Sequence, residues 1–326
     1  MCPNNELEAC LICNSAYTLP TLVTLWDLSR TKVFANITLI KYPPFKSSVF
    51  DLSIESIRQR TGQEIAMIEL NRSPFSMFTG SHHFPDVVFV KLLVPHLLKN
   101  RLVVYIDGGY LIRNHIGFAM WMRASIEKLL MIDRPLAMPR ALPNENEQTG
   151  IYKVAAGIML FDTRKYLASG FSVRLLNTFF IACHTGKLQM PEQNLIELTL
   201  SPDEILILDD TPQLLSDLCE WSKLKDVGIH NVYDLPLDIA LFKFVGSFKP
   251  WHYWVLNPDK SLFLHRVMEA SVALGIPLIY EKGFFAQFPA KSKESWATGQ
   301  LFLHNQMLAQ ESMAAPRKVR GKIEFS

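Results

Sequence analysis

The sequence predicts a mixed α/β fold in which a mostly parallel sheet is flanked by helices and followed by a small helical C-terminal region. Short apolar runs alternate with amphipathic segments, which is the pattern of parallel strands joined by crossover helices. The best-defined run, Leu102–Ile106, is apolar throughout and is followed by Asp107. Because an unpaired carboxylate is costly inside a sheet, and ligands bind beyond the carboxyl ends of such strands, we expect Asp107 to face a ligand.

An alternative interpretation of the same residues is a β-hairpin. Asp107 and Gly108 lie between two apolar runs, and Asp-Gly in that setting is the strongest short-range hairpin signal. The residues alone leave both interpretations open.

Length and composition limit the class of protein. The chain has 326 residues, of which 49% are hydrophobic and 20% charged, so it can form a large core, and a net charge of +2 does not indicate a nucleic-acid partner. We expect one large domain over 1–257 and a helical region with a basic tail over 258–326.

No apolar run reaches the ~18 residues that span a bilayer and no signal-peptide pattern is present, which predicts a cytoplasmic protein. The basic tail predicts, as a further hypothesis, peripheral contact with the inner face of a membrane.

The first half of the chain reads as strand and helix units in sequence. Each predicted strand is a short apolar run, and each predicted helix carries apolar residues at helical spacing. The predicted strands are Glu8–Cys13, Val33–Tyr42, Glu64–Leu70 and Leu102–Ile106, and the predicted helices begin at Thr18 and cover Asp51–Thr61, Val87–Leu98 and Ile116–Ile132.

The second half continues the pattern after a connection over Met138–Gly150, which its prolines and glycine predict to be flexible. A glycine inside the apolar run Val154–Phe161 indicates close approach of backbone or ligand. The other predicted elements are a strand over Ile205–Leu208 and helices over Phe171–His184, from Pro191 and over Ser261–Leu274.

Three motifs have both a chemical and a structural interpretation. Cys10 and Cys13 have the spacing of a metal or redox pair, but the five cysteines lack a framework spacing, which favours buried thiols in a reducing compartment. His82 and His83 are candidate metal ligands or solvated loop residues. Asp209-Asp210 is a candidate carboxylate pair or a helix N-cap.

The segment Leu241–Trp251 places two lysines around a glycine turn. Lys243 and Lys249 flank Gly246, and such an arrangement can neutralise a diphosphate. The alternative is a solvated basic turn beside a packed tryptophan.

Five segments resemble, in order and rough spacing, the motifs of the retaining glycosyltransferases of family 8, which use nucleotide sugars and have a GT-A fold. The resemblance covers about residues 8 to 255. Its segments are ICNSAYTLPTLVTLWDLSR, VKLLVPHLL followed by RLVVYIDGGYLI, AAGIMLFDTRKY, PEQNLIE and KFVGSFKPWH. The resemblance implies a GT-A nucleotide-sugar-binding domain, a UDP-sugar donor, and a glycan or lipid-linked saccharide as acceptor.

The resemblance also implies roles for residues on the nucleotide side. Tyr17 matches the aromatic residue that packs on uracil, and Asn14 stands where the family usually has Asp. Asp107 matches the first carboxylate of the DxD motif, and Gly246 and Lys249 are retained from the final motif.

The sequence departs from the family pattern at positions that the family uses to bind the metal ion and the sugar. Gly109 replaces the second carboxylate of DxD, Lys243 replaces a metal-ligating His, and Lys91 replaces an Arg. Ala155 replaces an Asn that contacts the sugar, and DQD becomes Glu192-Gln193-Asn194. With two of three protein ligands replaced, we expect no metal; Mn²⁺ would be the ion if that argument were wrong.

Our first hypothesis is therefore a metal-independent hexosyltransferase. In it, Lys243 and Lys249 hold the diphosphate and Asp107 binds the ribose, while Gln193 and Glu192 are the catalytic candidates that face the transferring sugar. The alternatives are a catalytically silent relative that binds a nucleotide sugar or glycan or supports a partner enzyme, and some other α/β nucleotide-binding protein.

Overall fold

Strands and helices alternate as predicted. The computed structural model describes residues 7–76, 86–140, 154–185, 191–208, 212–216, 240–244, 260–276 and 278. The strands are β1 (Leu7–Cys13), β2 (Asn36–Lys41), β3 (Glu64–Glu69), β4 (Leu102–Ile106), β5 (Tyr110–Ile112), β6 (Leu136–Pro139), β7 (Ile158–Asp162), β8 (Ile205–Leu208), β9 (Gln213–Ser216) and β10 (Leu241–Phe244). The helices are α1 (Thr18–Thr31), α2 (Ser48–Thr61), α3 (Val87–Val90), α4 (Val94–Leu97), α5 (His115–Ile132), α6 (Thr163–Ala168), α7 (Phe171–Thr185), α8 (Pro191–Thr199) and α9 (Lys260–Leu274).

Seven strands form the main sheet in the order β3-β2-β1-β4-β7-β6-β8. The first four are parallel to one another, β7 is antiparallel to both of its neighbours, and β6 and β8 are parallel. The prediction of a mostly parallel sheet flanked by helices is confirmed.

The main sheet is buried on both faces. All seven residues of β1 are buried, and the alternation of side chains along the strand places Cys10 in the core on one face and Cys13 in the core on the other. The two thiols therefore do not face a common ligand, and the metal or redox interpretation of this pair is wrong.

The helix predicted over Val87–Leu98 is broken into two short helices. A 3₁₀ turn over Lys91–Leu93 separates α3 from α4, and Pro95 is the physical reason. Proline has no N–H to donate to the carbonyl of Lys91, and its ring crowds that carbonyl, so a continuous α-helix cannot pass through this point.

The segment after β4 is not a hairpin. β4 pairs with β1 and β7, whereas β5 belongs to a second, three-stranded sheet with the order β5-β10-β9. The turn after Asp107 carries the chain from one sheet to the other, so Asp107 lies where the two sheets meet.

Two predicted boundaries are corrected. The strand predicted from Val154 begins at Ile158, because Ala156 and Gly157 form a turn, although Val154 makes an isolated bridge to Arg140. The connection predicted from Met138 begins later, since Met138 and its neighbour complete β6.

Helix α9 packs on α1 and α2. The predicted boundary at residue 257 is not tested by this contact. In the part of the chain that the structure describes, no helix is long and apolar enough to cross a membrane. Several predicted features lie outside the described residues: His82, His83, Asp209, Asp210, Gly246, Lys249, Trp251 and the basic tail.

Candidate active site

Asp107 stands at the junction of the two sheets, directly beyond the carboxyl end of β4. Its backbone N–H donates to the carbonyl of Gly157, 2.9 Å away, which fixes it beside the turn that precedes β7. Three residues further on, β5 begins, and Tyr110 on β5 pairs with Lys243 on β10. The fold thus brings Lys243 opposite Asp107 across 136 positions of sequence.

Lys243 and Asp107 form an ion pair. Nζ of Lys243 donates to Oδ2 of Asp107 at 2.5 Å, and it lies 4.9 Å from the centre of the Tyr110 ring. Gly157 makes room for this ammonium group, because a Cβ added there would overlap with Nζ and lie 2.7 Å from the Tyr110 hydroxyl oxygen. The glycine signal in the sequence is explained by the approach of this side chain.

Lys91 is a second cation on the same carboxylate, but in a different environment. Its Nζ donates to Oδ1 of Asp107 at 3.1 Å, to the carbonyl of Ala156 at 3.1 Å, and to Oε1 of Glu192 at 3.3 Å. An ammonium has three donors, and all three are directed at protein acceptors. We infer that Lys91 positions the two carboxylates; the contact with the nucleotide implied by the resemblance stays a prediction.

The electrostatics of the site depend on these contacts. Burial alone would raise the pKa of Asp107, but the ammonium groups of Lys243 and Lys91, with a 2.5 Å hydrogen bond from the Tyr105 hydroxyl, hold that pKa well below its usual range. Burial would lower the pKa of Lys91, but Asp107 and Glu192 raise it overall. Both groups are therefore fully charged at neutral pH.

The two catalytic candidates on α8 differ in their contacts. Glu192 is 14% exposed and paired to Lys91, which places it in the same cluster as Asp107. Gln193 donates its side-chain amide to the carbonyl of Val154 at 2.9 Å. This bond ties the start of α8 to the segment before Gly157, and the predicted role of Gln193 toward a sugar is untested.

The loop after β1 contributes Asn14 and Tyr17. The Oδ1 atom of Asn14 accepts from the N–H of Ala16 at 3.0 Å, so Asn14 caps the 3₁₀ turn that presents Tyr17. Burial of its hydroxyl and the Asp107 carboxylate raise the pKa of Tyr17, whereas Lys243 lowers it, which shows that these groups share one electrostatic environment. The residue is nevertheless 36% exposed, so part of its surface faces solvent.

Gly109 adopts a backbone conformation that explains its identity. Its φ angle is +94°, in the region that favours glycine, and its N–H donates to Oγ1 of Thr24 at 2.9 Å. A side chain at this φ would be strained, which favours glycine at position 109.

The residues present do not fit a divalent cation. The carboxylate of Asp107 accepts from an ammonium on each oxygen, and position 109 offers no ligand. Within the described ranges, no group of three or more His, Cys, Asp or Glu side chains could hold a metal ion. Asp107 and Glu192 are both already paired with ammonium groups, and metal independence stays a prediction.

Sequence reasoning missed three residues of this site. Tyr105 bonds to Asp107, Tyr110 lies beneath Lys243, and the carbonyl of Ala156 accepts from Lys91. Tyr105 was accessible to prediction, since residues two apart in a strand share a face. The other two depend on the path of the chain between distant elements.

Comparison with family models gives no match, and comparison with curated proteins gives none. Solved structures do match. The glycosyltransferase GlyE of Streptococcus pneumoniae TIGR4 has a TM-score of 0.57 at 16% identity, over 88% of this chain and 65% of GlyE. The galactosyltransferase LgtC, in complex with donor and acceptor sugar analogs, has a TM-score of 0.59 at 13% identity, over 86% of this chain and 100% of LgtC.

A third match is the bifunctional glycosyltransferase WbbM, with a TM-score of 0.56 at 9% identity, over 88% of this chain and 52% of WbbM. The chain thus spans about two thirds of GlyE and half of WbbM. At these identities the comparison establishes the fold alone. The chain has the GT-A fold that the sequence predicted.

Proposed function

We propose that this protein is a glycosyltransferase that transfers a hexose from a UDP-sugar to a glycan or lipid-linked saccharide without a divalent metal ion. The observation that carries the proposal is the ion pair between Lys243 and Asp107 at the carboxyl end of β4. It stands in a GT-A fold, at the position where the resemblance to family 8 implies a metal.

The charges support this reading. In the family pattern, two carboxylates and one divalent ion sum to zero. Here Asp107 and Lys243 also sum to zero, because Gly109 removes one negative charge and Lys243 supplies a single positive one. The local charge presented to a diphosphate is thereby retained with a protein cation in place of a bound ion.

The two lysines suit different tasks. The side chain of Lys91 is 3% exposed and is directed at three protein acceptors, whereas that of Lys243 is 17% exposed. Lys243 is thus the cation nearer to solvent and to an incoming phosphate. At ~4 Å and an effective dielectric of ~20, the attraction between one ammonium and one phosphate charge is about 4 kcal/mol, and repulsion from the paired Asp107 carboxylate makes the net effect smaller.

In the proposed reaction, the bond between C1 of the hexose and the terminal phosphate oxygen of UDP breaks, and its electron pair stays on that oxygen. Lys243, with Lys249 as the second predicted contact, stabilises the developing charge. The acceptor hydroxyl bonds to C1 on the face that UDP leaves and passes its proton to the departing phosphate. Glu192, held by Lys91, and Gln193 are the residues we propose to contact the transferring sugar.

The test is binding of UDP and a panel of UDP-sugars by calorimetry in the presence of a chelator, followed by an assay of UDP release with saccharide acceptors. The Lys243→Met variant should weaken UDP binding by about 10- to 100-fold, the loss expected for a charge-assisted hydrogen bond. Lys165→Met is the matched control, because Lys165 also pairs with carboxylates but lies on α6.

Three results would count against parts of the proposal. Binding that requires Mn²⁺ would contradict metal independence. Equal UDP affinity in Lys243→Met and wild type would remove Lys243 from the phosphate site. UDP binding without release or transfer against any acceptor would identify a silent relative instead of an enzyme.

A further inference from the structure

Strand β5 supplies one neighbour of Lys243, Tyr110, and follows closely after the other, Asp107. Tyr110 on β5 pairs with Lys243 in the small sheet and places its ring under the ammonium group, and the turn from Asp107 leads directly into β5. Any shift of β5 therefore moves Lys243 relative to Asp107. What holds β5 in place is accordingly relevant to the candidate site.

Among the described residues, side chains and not a strand cover the outer edge of β5. Thr24 of α1 contacts two backbone groups there: its Oγ1 lies 2.9 Å from the N–H nitrogen of Gly109 and 2.9 Å from the carbonyl oxygen of Tyr110. Oδ2 of Asp27, one turn further along α1, accepts from the N–H of Ile112 at 2.9 Å. The edge of a buried strand needs such partners, because unpaired backbone groups away from water are costly.

Helix α9 completes this edge. A guanidinium nitrogen of Arg266 donates to the carbonyl of Ile112 at 3.1 Å, and its Nε faces Oδ1 of Asp27 at 3.5 Å. The same side chain pairs with Glu269 at 2.7 Å, which in turn pairs with Arg30 of α1 at 3.1 Å. We call Asp27, Arg30, Arg266 and Glu269 the helix cluster, because they join α1 to α9.

We propose that Arg266 is a positioning residue for Lys243: by anchoring α9 on the outer edge of β5, it holds the β5–β10 pair in the register that keeps Lys243 against Asp107. The link to catalysis rests on the proposed function, whereas the positioning itself does not. Arg266 contacts both Asp27 and Ile112, so it secures the helix and the strand at one point.

Hydrogen exchange measured by mass spectrometry tests the positioning directly. In Arg266→Gln, exchange at 110–113 and 241–244 should accelerate about tenfold or more, since a hydrogen bond from a charged donor is lost. Arg30→Gln is the matched control, because it removes the other guanidinium of the helix cluster without touching β5. Equal exchange in the two variants, or exchange unchanged from wild type, would overturn the proposal.

A double-mutant cycle tests the link to ligand binding. Arg266→Gln should weaken UDP binding about tenfold in the wild-type background and leave it unchanged in Lys243→Met, because the effect passes through Lys243. Additive losses would show that Arg266 acts elsewhere and would overturn this link. If Arg266→Gln does not fold, Arg266→Lys, which keeps the charge but cannot reach all three partners, replaces it in both experiments.

The exchange experiment and the binding experiment test different proposals. If the wild-type chain binds no UDP, the proposed function fails, while the exchange experiment still decides whether Arg266 positions the β5–β10 pair.

Discussion

Two clusters of the molecule contain the same numbers of acidic and basic groups, but the pKa of the central carboxylate is lowered in one and raised in the other. The site cluster, formed by Lys91, Asp107, Glu192 and Lys243, and the helix cluster each contain two carboxylates and two cations. Asp107 contacts two ammonium groups, and its pKa is held well below the usual range. Asp27 has no exposed surface and only a guanidinium at 3.5 Å, so burial outweighs Arg266 and raises its pKa to about 7.

The difference shows that contact with cations, and not the number of charges, decides whether a buried carboxylate stays ionised. The site cluster keeps its charges at an edge that is partly open to solvent. The helix cluster uses its carboxylate mainly as a hydrogen-bond acceptor for β5. The first arrangement suits a charged ligand, and the second suits the joining of structural elements.

The largest expected effect comes from removing the cation that both site carboxylates share. Lys91→Met leaves Glu192 without the ammonium that it contacts and takes one of two cations from Asp107. Breaking a buried pair in this way costs about 3 to 5 kcal/mol, measured as the free energy of unfolding in urea.

Lys41→Met is the control for this prediction. The Lys41 side chain is only 5% exposed, but its partner Asp51 is 46% exposed and can be solvated when the lysine is lost. We expect a cost of about 1 kcal/mol. Similar losses in the two variants would show that removing the ammonium shared by two site carboxylates costs no more than removing one whose partner reaches solvent.

A smaller effect is expected from filling the space that Lys243 occupies. Gly157→Ala adds a methyl group where the Lys243 ammonium lies, so this ammonium must shift from its position against Asp107. We expect a loss of about 1 to 3 kcal/mol in the free energy of unfolding, typical of overpacking. UDP affinity should fall as well if Lys243 holds the phosphate.

The same substitution in a Lys243→Ala background is its control. With the ammonium absent, the worst overlap is removed and the Tyr110 hydroxyl and Oδ2 of Asp107 remain near the added methyl group, so the cost of Gly157→Ala should shrink. An undiminished cost would place the strain in the backbone and not at Lys243.

These two clusters also show how far the sequence could predict the molecule. Strand β4, which ends before Asp107, followed from local pattern. The resemblance assigned Lys243 to a diphosphate and Asp107 to a ribose, and both roles stay predictions; the ion pair between the two side chains was not predicted. The break at Pro95 was readable in the sequence but was missed. The metal or redox interpretation of Cys10 and Cys13 is wrong, because the two residues face opposite sides of the sheet. The interpretation of His82 and His83 stays untested, because they lie outside the described residues.

What could not be predicted depends on contacts between distant segments. Lys91 meets Glu192 across 101 positions, and Arg266 meets Ile112 across 154. No local pattern specifies either pair, because the geometry arises only when α8 and α9 are packed. A local signal for the helix cluster was Asp27, a carboxylate between the apolar residues Trp26 and Leu28 of α1.

The smallest expected effect is on the pH dependence of stability. The raised pKa of Asp27 and the lowered pKa of Asp107 make the contributions of these two carboxylates change in opposite directions with pH. Burial raises the pKa of Asp27 from 3.8 to about 7, so the folded chain holds a proton that the unfolded chain has released between about pH 4 and 7. Its contribution to stability therefore rises as the pH falls through 7. Burial, with Arg30 and Arg266, lowers the pKa of the neighbouring His115 from 6.5 to about 4, so its contribution falls as the pH falls through 6.5.

Because the two contributions oppose each other, single variants should reveal them. In Asp27→Asn only the His115 contribution remains, so the free energy of unfolding should decrease as the pH is lowered from about 7 to 5. In His115→Gln only the Asp27 contribution remains, so the free energy of unfolding should increase over the same interval. Urea unfolding at the two pH values measures both slopes. Parallel slopes in the two variants would show that neither group is perturbed as assigned.

The site cluster provides the reference for this measurement. The pKa of Asp107 is depressed, so its contribution is complete above the unfolded value near 4 and is lost only as the pH falls toward the folded value. Asp107→Asn should consequently lower stability by the same amount at about pH 5 and pH 7, without changing the slope. A slope that changed in this variant would mean that Asp107 takes up a proton in that interval, and the ammonium contacts would then not hold its charge as the geometry indicates.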